Sequence, residues 1–230
     1  NLYFNRTFKV ILTKISSFTL ISNLSITLNG INRPILAYTV KPRMGLTITD
    51  FGKLYTEAAK AKIDIVEDDE RLIDPSYCRF ENRVETLMEL QESYDSIYSA
   101  NITGSLENAR KRLDFAAEKG IQMVKLDVLV SGFETLRQIA LHIRDNYDSK
   151  IAITVYPDAY HAYRKLSRKF ILKMARLCGA DIIYAGSPNW ARYEQEDIKM
   201  MDSLAPVFSM HQTLSKDFER AKFIKKSLPT

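Results

Sequence analysis

The sequence predicts an α/β fold, a (β/α)₈ barrel of the TIM type, in which about six βα units are recognisable. From Arg33 onward, short apolar runs alternate with amphipathic stretches of helical period. Repeated units of this kind form a parallel sheet covered by helices. Polar residues follow several predicted strands, as at the mouth of a barrel. The GxGxxG turn of a dinucleotide-binding open sheet is missing after the first strand, which disfavours the competing doubly wound architecture.

Six strands are predicted in order, at residues 34–40, 63–66, 99–103, 123–130, 151–156 and 181–186. The helix after the first strand is predicted from the spacing of its apolar residues, and Thr47 with Asp50 forms a capping box at its start. Further helices are predicted at 80–98, 106–119, from a Ser131–Glu134 cap to about 146, and at 169–179. Gly120 is a C-cap signal. Beyond Gly186 two helices (194–204 and 216–227) and a short strand, PVFSM, are predicted.

The chain is predicted to contain one barrel domain, residues 31–230, preceded by the tail of a small N-terminal domain or a linker at residues 1–30. The first 30 residues fit no βα unit. Six parallel strands at barrel tilt leave two open edges. We therefore expect that the C-terminal units of the barrel are missing from this chain.

The composition is that of a folded globular protein. Apolar residues make up 46% and charged residues 27% of the 230 residues, with 33 Lys and Arg against 28 Asp and Glu. Two cysteines cannot form a disulfide scaffold, and the apolar runs are too interrupted for a membrane span. The basic residues are scattered, whereas nucleic-acid binding favours a concentrated patch. We expect a soluble, cytoplasmic protein that binds neither nucleic acid nor membrane.

Two features of the sequence are candidates for metal binding and proton transfer, the acidic run 67–70 and Lys41. The acidic run EDDE (67–70) follows the second predicted strand, and alternation in an extended segment places Glu67 and Asp69 on one side. With Glu70 they would form an oxygen site for Mg²⁺. Lys41 ends the first strand and, near a metal, has the chemistry for proton transfer. A solvated acidic loop and a surface lysine remain the alternative interpretations.

Together these features resemble the RuBisCO large-subunit family. The stretch RPILAYTVKPRMGLT is similar to the family's first barrel strand, G-x-T-x-K-P-K-x-G-L-S, and IDIVEDDE to its metal segment, D-F-x-K-D-D-E. SANITG, VKLDVLVSGF, YHAY and ARLCGADIIYAGS follow the next four strands in order. The resemblance implies a barrel with an N-terminal α+β domain, paired as a dimer. It implies proton transfer by Lys41 and Mg²⁺ binding by Asp69 and Glu70.

The chain departs from the family at groups that hold CO₂, metal and phosphate. These positions are Arg43, Glu67, Pro157, Asp158, Tyr184 and Ser187. Glu67 stands where the family carries the lysine that CO₂ converts into a metal-binding carbamate, so no carbamylated lysine is expected. His161 is the histidine that remains after the fifth strand. Carboxylation of a bisphosphate is therefore predicted to be lost.

The predicted function is that of a RuBisCO-like enzyme. It would catalyse Mg²⁺-dependent enolisation, isomerisation or decarboxylation of a sugar-derived carbonyl compound, as a homodimer or higher homo-oligomer. Lys41 is the predicted catalytic residue, and Glu67, Asp69 and Glu70 are the predicted metal ligands. The predicted substrate contacts are Arg43, Asn101, His161 and Ser187. The alternative is a catalytically inactive family member that serves as a binding or assembly protein.

Overall fold

A computed structural model describes residues 8–11, 35–42, 44–157 and 166–184. For residues 8–11 and 168–169 only the backbone is described. The strands are β1 (Phe8–Ile11), β2 (Ile35–Thr39), β3 (Ile65–Glu67), β4 (Ile97–Asn101), β5 (Met123–Leu126), β6 (Ala152–Val155) and β7 (Ile182–Ile183). The helices are α1 (Ile48–Lys60), α2 (Phe80–Gln91), α3 (Leu106–Glu118), α4 (Val128–Ser131), α5 (Phe133–Tyr147) and α6 (Arg168–Leu177).

The seven strands form one sheet whose spatial order is the chain order. Strands β2 to β7 are parallel, and the sheet curls into a half-barrel with helices between its strands. The predicted α/β fold, an incomplete TIM-type barrel, is confirmed. Strand β1 was not predicted and pairs antiparallel with β2, Phe8 lying opposite Tyr38. The domain boundary at residue 31 stays a prediction.

Each parallel strand is buried on two faces, because helices cover the outer face and the curled sheet encloses the inner one. The apolar layer of the inner face consists of Ile35, Ala37, Ile65, Ile97, Met123, Ala152, Ile182 and Tyr184. Two residues further along five successive strands, the same face becomes polar, with Thr39, Glu67, Ser99, Lys125 and Thr154. Alternation along the strands therefore places a buried polar band at the carboxyl-terminal side of the sheet.

The start of α1 and the end of α3 confirm two local predictions. The hydroxyl of Thr47, the N-cap of α1, accepts a hydrogen bond from the Asp50 N–H at 3.2 Å. Gly120 follows α3 with φ of 83°, in the region that favours glycine. Both signals act within one helical turn, so they do not depend on the rest of the fold.

The predicted helix 80–98 is wrong at its end. Helix α2 stops at Gln91, and Tyr98 belongs to β4, where it pairs with Val66. The Gln91 side chain accepts a hydrogen bond from the Tyr98 N–H at 2.6 Å. The sequence does not mark the boundary between this helix and β4. Over so short a run, the apolar residues of β4 fit either a helical or a strand period.

The predicted strand 123–130 is also too long, and the Ser131 cap is wrong. Strand β5 ends before Asp127, whose carboxylate caps α4 by accepting from the Leu129 N–H at 2.9 Å. Helix α5 has Gly132 at its N-cap, and the Ser131 hydroxyl accepts from the Gly104 N–H at 3.0 Å. Local propensity favoured a longer strand, but the Asp127 cap turns the backbone.

The elements predicted beyond Gly186 lie outside the described residues.

Two aspartates hold neighbouring strands in register by the same contact. Asp64 precedes β3 and accepts from the Leu36 N–H of β2 at 2.7 Å, and Asp181 precedes β7 and accepts from the Ile153 N–H of β6 at 2.8 Å. In both cases the aspartate N–H donates back to the carbonyl of the same partner residue at 3.0 Å. The sequences DIV and DII thus repeat one strand-pairing device.

Asp181→Asn is expected to change how stability depends on pH. Burial raises the pKa of Asp181 from 3.8 to about 6, although the Ile153 hydrogen bond opposes the rise. Between these values the folded protein holds a proton that the unfolded chain has released, so stability declines as pH rises through that window. Relative to the variant, the wild-type protein should lose up to about 3 kcal/mol from pH 4 to pH 7. Urea denaturation across this range measures the difference, and parallel pH profiles would contradict it.

Gly179→Ala is expected to destabilise the fold more than Gly120→Ala. Both glycines have positive φ, but a Cβ on Gly179 would lie 2.5 Å from the Cβ of Ala140 on α5, whereas one on Gly120 meets no atom within 4 Å. We expect a loss of about 1 kcal/mol at Gly120 and about 2–4 kcal/mol at Gly179. Adding Ala140→Gly should reduce the second loss. Equal losses of unfolding free energy at the two glycines would contradict this account.

In the part of the chain that the structure describes, no helix combines the length and apolar character that crossing a membrane requires.

Candidate active site

A buried charge cluster lies at the carboxyl ends of β2, β3 and β5. Its members are Lys41, Glu67, Asp68, Asp69, Glu70, Arg83 and Lys125. The acidic members come from the end of β3 and the loop after it, and each is at least 95% buried. Because buried carboxylates must be paired or neutralised, the cations around them determine what this site can do.

Asp68 anchors the loop that carries the other carboxylates of the cluster. It points to the outer face of the sheet, where Nε and NH2 of Arg83 on α2 each lie 3.0 Å from its Oδ2. Tyr98 Oη donates to its Oδ1 at 2.8 Å, and the Asn101 N–H donates to Oδ2 at 2.9 Å. Burial favours a neutral Arg83, but Asp68, Tyr98 and Cys78 together outweigh burial and raise the pKa of the guanidinium. The loop after β3 is thereby anchored to α2 and β4.

Glu67 and Glu70 meet on Lys125. The Lys125 ammonium lies 3.0 Å from Glu67 Oε1, 3.4 Å from Glu70 Oε2 and 3.0 Å from the Asp68 carbonyl oxygen. Its side chain is fully buried. Burial lowers the pKa of Lys125, but the charges of the two glutamates and their hydrogen bonds outweigh burial and raise it above its usual value. Lys125 is therefore charged and acts as the counter-ion of both carboxylates.

Asp69 pairs with Lys41. The Lys41 ammonium donates to Asp69 Oδ2, and Asp69 Oδ1 accepts from the Arg71 N–H at 2.8 Å. The Lys41 side chain is 30% exposed, whereas that of Asp69 is fully buried. The peptide bond between Lys41 and Pro42 is cis. Lys41 is thus the member of the charge cluster that reaches both the buried carboxylates and the solvent.

Glu67 accepts three hydrogen bonds on one oxygen. Thr39 Oγ1 and Tyr184 Oη each lie 2.6 Å from Oε1, which also receives the Lys125 bond. Burial, followed by the Glu67 charge, raises the pKa of Tyr184 well above its usual value, so this hydroxyl stays protonated and donates. Among the described residues, Glu67 Oε2 is buried without a hydrogen-bond partner. Glu67 is therefore held by three hydrogen bonds at the position where the resemblance placed a carbamate.

Asn101 positions the acidic loop. Its Nδ2 donates to the carbonyl oxygens of Asp69, Glu70 and Leu72 at 3.1, 2.8 and 3.2 Å. Its Oδ1 accepts from the N–H and the hydroxyl of Thr103 at 3.1 and 2.6 Å. The side chain is buried and bonded at both ends, which fixes the backbone that carries the carboxylates. Its predicted contact with a substrate stays a prediction.

The sequence prediction brought the right region together but paired it differently. Glu67, Asp69 and Glu70 were predicted to share one site, and in the structure Glu67 and Glu70 meet on Lys125 while Asp69 bonds to Lys41. Sequence reasoning missed Lys125 and Arg83. A lysine inside the apolar run MVKLDVLV was a usable signal, because a buried cation needs an anionic partner. The predicted residues Arg43, His161 and Ser187 lie outside the described residues.

Comparison with known proteins gives the family of this chain. Residues 20–228 match the family model for the catalytic domain of the ribulose bisphosphate carboxylase large chain. The ribulose bisphosphate carboxylase of Archaeoglobus fulgidus is 29% identical over 174 residues, which are 71% of this chain and 39% of that protein. The chain belongs to the RuBisCO large-chain family. It spans about two fifths of the length of this relative.

Solved structures agree with the family assignment. The octameric RuBisCO of Pyrococcus horikoshii OT3 superposes with a TM-score of 0.72 at 25% identity, covering 82% of this chain and 48% of that one. A RuBisCO-like protein from Rhodopseudomonas palustris has a TM-score of 0.66 at 19% identity, covering 83% and 54%. The second likeness shows the fold alone. This chain covers about half of each of these two structures.

The described side chains do not fit the Mg²⁺ ion on which the family in general depends. Mg²⁺ requires near-octahedral oxygen coordination. All three predicted ligands already bond to lysine ammonium groups, Glu67 and Glu70 to Lys125 and Asp69 to Lys41. Among the described residues, no three His, Cys, Asp or Glu side chains are arranged to hold a metal. The partnerless Glu67 Oε2 is a single oxygen and does not make a magnesium site.

Proposed function

We propose that this chain is the barrel portion of a RuBisCO-like protein that moves a proton next to the carbonyl group of a sugar-derived compound. The reaction would be enolisation, isomerisation or decarboxylation, and not carboxylation of ribulose bisphosphate. The observation that carries the proposal is the position of Lys41. Its ammonium is held by a buried carboxylate and is partly exposed at the carboxyl ends of the strands, where barrel enzymes act.

Lys41 has the chemistry for proton transfer. An ammonium group at this place donates a hydrogen bond or a proton to the carbonyl oxygen of a substrate, and after losing a proton it acts as a base. Asp69 fixes the direction of the ammonium, and the Arg71 N–H and the Asn101 side chain fix Asp69 and its loop. A proton-transferring group held by a rigid shell acts with little reorganisation. The proposed reaction uses no magnesium ion, because Lys41 and Lys125 occupy the predicted metal ligands.

The loss of carboxylation follows from Glu67. The carbamate of the family needs a lysine at this position, and Glu67 is bonded instead to Thr39, Tyr184 and Lys125. Tyr184 itself stands where the resemblance places a histidine. These changes remove groups that would hold metal and CO₂, while Lys41 retains the place of the proton-transferring lysine.

A second candidate function is that of an inactive binding or assembly protein. The observation that favours it is the complete pairing of the acidic loop, since the carboxylates of Asp68 and Asp69 are engaged by Arg83 and Lys41. Such a network stabilises the sheet without any turnover. The two candidate functions predict different effects of Lys41. In an enzyme Lys41 changes the rate of proton exchange at a substrate carbon, whereas a purely structural lysine does not.

The test is solvent hydrogen exchange at the carbon next to the carbonyl, followed by NMR in D₂O for a panel of ketoses and ketose phosphates. The longest folded form of the protein is used. The expected result is exchange with at least one compound, reduced by about 100-fold or more in Lys41→Met. The matched control is Lys53→Met, because Lys53 is an exposed lysine of α1, and it should leave the rate unchanged.

Three outcomes are informative. Exchange that depends on Lys41 supports the enzyme. Folded protein with no exchange on any compound supports the binding or assembly role. Incorporation of labelled bicarbonate into ribulose bisphosphate would contradict the loss of carboxylation.

We also propose an oligomeric state and a location for the full protein. The neighbouring structure from Pyrococcus horikoshii is octameric, which supports a homo-oligomer, a homodimer or larger, for the full protein. A cytoplasmic location, without a nucleic-acid or membrane partner, completes the proposal. Sedimentation of the full-length protein tests the assembly.

A further inference from the structure

We propose that the site binds no divalent cation and that the buried ammonium of Lys125 takes the place of the metal. This inference deepens the proposed function, on which its catalytic consequence rests, by naming the source of positive charge at the site. It does not depend on turnover for its test.

Lys125 is enclosed by groups that favour a cation. It lies on the polar band of the inner face, on β5, with a carboxylate oxygen of Glu67 at 3.0 Å and one of Glu70 at 3.4 Å. The rings of Tyr156 and Tyr184 have their centroids 5.2 and 5.5 Å from its Nζ, within the range of cation–π attraction. Two carboxylates and two aromatic rings around one buried position make a cation site that this chain fills itself.

The hydrogen-bonding capacity of Lys125 is used completely. A lysine ammonium has three N–H donors, and three acceptors lie within 3.4 Å: oxygens of Glu67 and Glu70 and the carbonyl of Asp68. Lys125 therefore has no donor left for a substrate oxygen. It is a positioning residue, which neutralises the two glutamates and ties the loop to β5, and it does not touch the reacting atoms.

A divalent cation would have to displace this arrangement. Glu67 and Glu70 would have to release the Lys125 ammonium, whose side chain is fully buried. Asp69 would have to release Lys41 as well. The divalent charge would then lie beside two cations in a low-dielectric interior, where like-charge repulsion is strong. Because Lys125 already occupies the site, neither the loss of these lysine contacts nor the like-charge repulsion arises.

In the proposed reaction the two lysines have different roles. Lys125 supplies the fixed positive charge that keeps the carboxylates buried, and Lys41, on the solvent side, faces the substrate. Lys41 alone of the pair has an exposed side chain, at 30% against 0%. Proton transfer by this protein should therefore persist after treatment with a chelator.

The experiment measures Mn²⁺ binding by electron paramagnetic resonance on the longest folded form, with and without bicarbonate. The expected result is no saturable site in the wild-type protein at millimolar Mn²⁺. One saturable site per chain that disappears in Asp69→Asn would overturn the proposal, whether or not bicarbonate is needed. The expected result is measured on the wild-type protein and does not depend on the folding of any variant.

A second arm asks whether Lys125 is what excludes the ion. Removing its charge in Lys125→Met should raise Mn²⁺ affinity by at least about tenfold, and adding Glu67→Gln should cancel the gain. Lys125→Gln replaces the methionine variant if that variant does not fold. A folded variant with no gain would overturn the assignment of Lys125 as the substitute for the metal. Lys119→Met, at the partly exposed pair with Glu85, is the control.

Failure of this inference and failure of the proposed function give different results. Exchange at the substrate carbon that requires Mn²⁺ or Mg²⁺ would overturn the inference and leave the function standing. Absence of exchange, together with absence of metal binding, would overturn the function and support the inference. Exchange that a chelator leaves unchanged supports both.

Discussion

Lys125→Met is expected to lower the free energy of unfolding by about 3–5 kcal/mol. The substitution keeps most of the length of the side chain but removes its charge, which leaves Glu67 and Glu70 buried without their shared counter-ion. An uncompensated buried charge is far more costly than the absence of the whole pair. Guanidinium denaturation with matched baselines measures the loss.

The control for this variant is Lys111→Met. Lys111 forms an exposed pair with Glu107 on α3 at 2.7 Å, and removing it should change stability by no more than about 0.5 kcal/mol. Adding Glu67→Gln and Glu70→Gln to Lys125→Met should restore part of the loss, because the buried charges are then gone. A Lys125→Met variant as stable as the Lys111→Met control would mean that the carboxylates have another source of neutralisation.

Arg83→Met is the second change with a large expected effect, again about 3–5 kcal/mol. The fully buried guanidinium binds Asp68 through two nitrogens, and it donates to the carbonyls of Cys78 and Ile73 at 2.8 and 3.1 Å. The variant leaves a buried carboxylate and backbone carbonyls without their donor. Because the same carboxylate accepts from Tyr98 Oη, the loss should also loosen the contact between the loop and β4.

Two variants sharpen this test. Arg83→Lys should recover little, since one ammonium cannot span Asp68 and the carbonyls that the planar guanidinium reaches together. Arg110→Met, an exposed arginine on α3, should cost about 0.5 kcal/mol or less. Hydrogen exchange of the amides in residues 68–72 reports the loosening directly. Unchanged exchange in a destabilised Arg83→Met would confine its role to packing.

Local pattern was sufficient for much of the fold. The six parallel strands and the helices between them were predictable because each βα unit buries its apolar residues with a short period, and in a barrel the chain order is also the spatial order. The Thr47 cap and the Gly120 stop were predictable because they act within a single turn. Strand β1 was not, since it depends on pairing with β2, whose nearest partner residue, Ile35, lies 24 positions beyond Ile11.

For the site, the sequence by itself determined that Lys41 and the acidic run lie at the carboxyl ends of adjacent strands. The tertiary structure decided which cation meets which carboxylate. Lys125 is 58 positions from Glu67 in the chain, with β4 between their strands, and it reaches Glu67 only because the sheet curls and both side chains point inward. Asp68, one residue later, points outward to Arg83. Chain spacing carries no information about such cross-sheet contacts, because they depend on strand register and curvature and on the requirement that every buried charge find a partner.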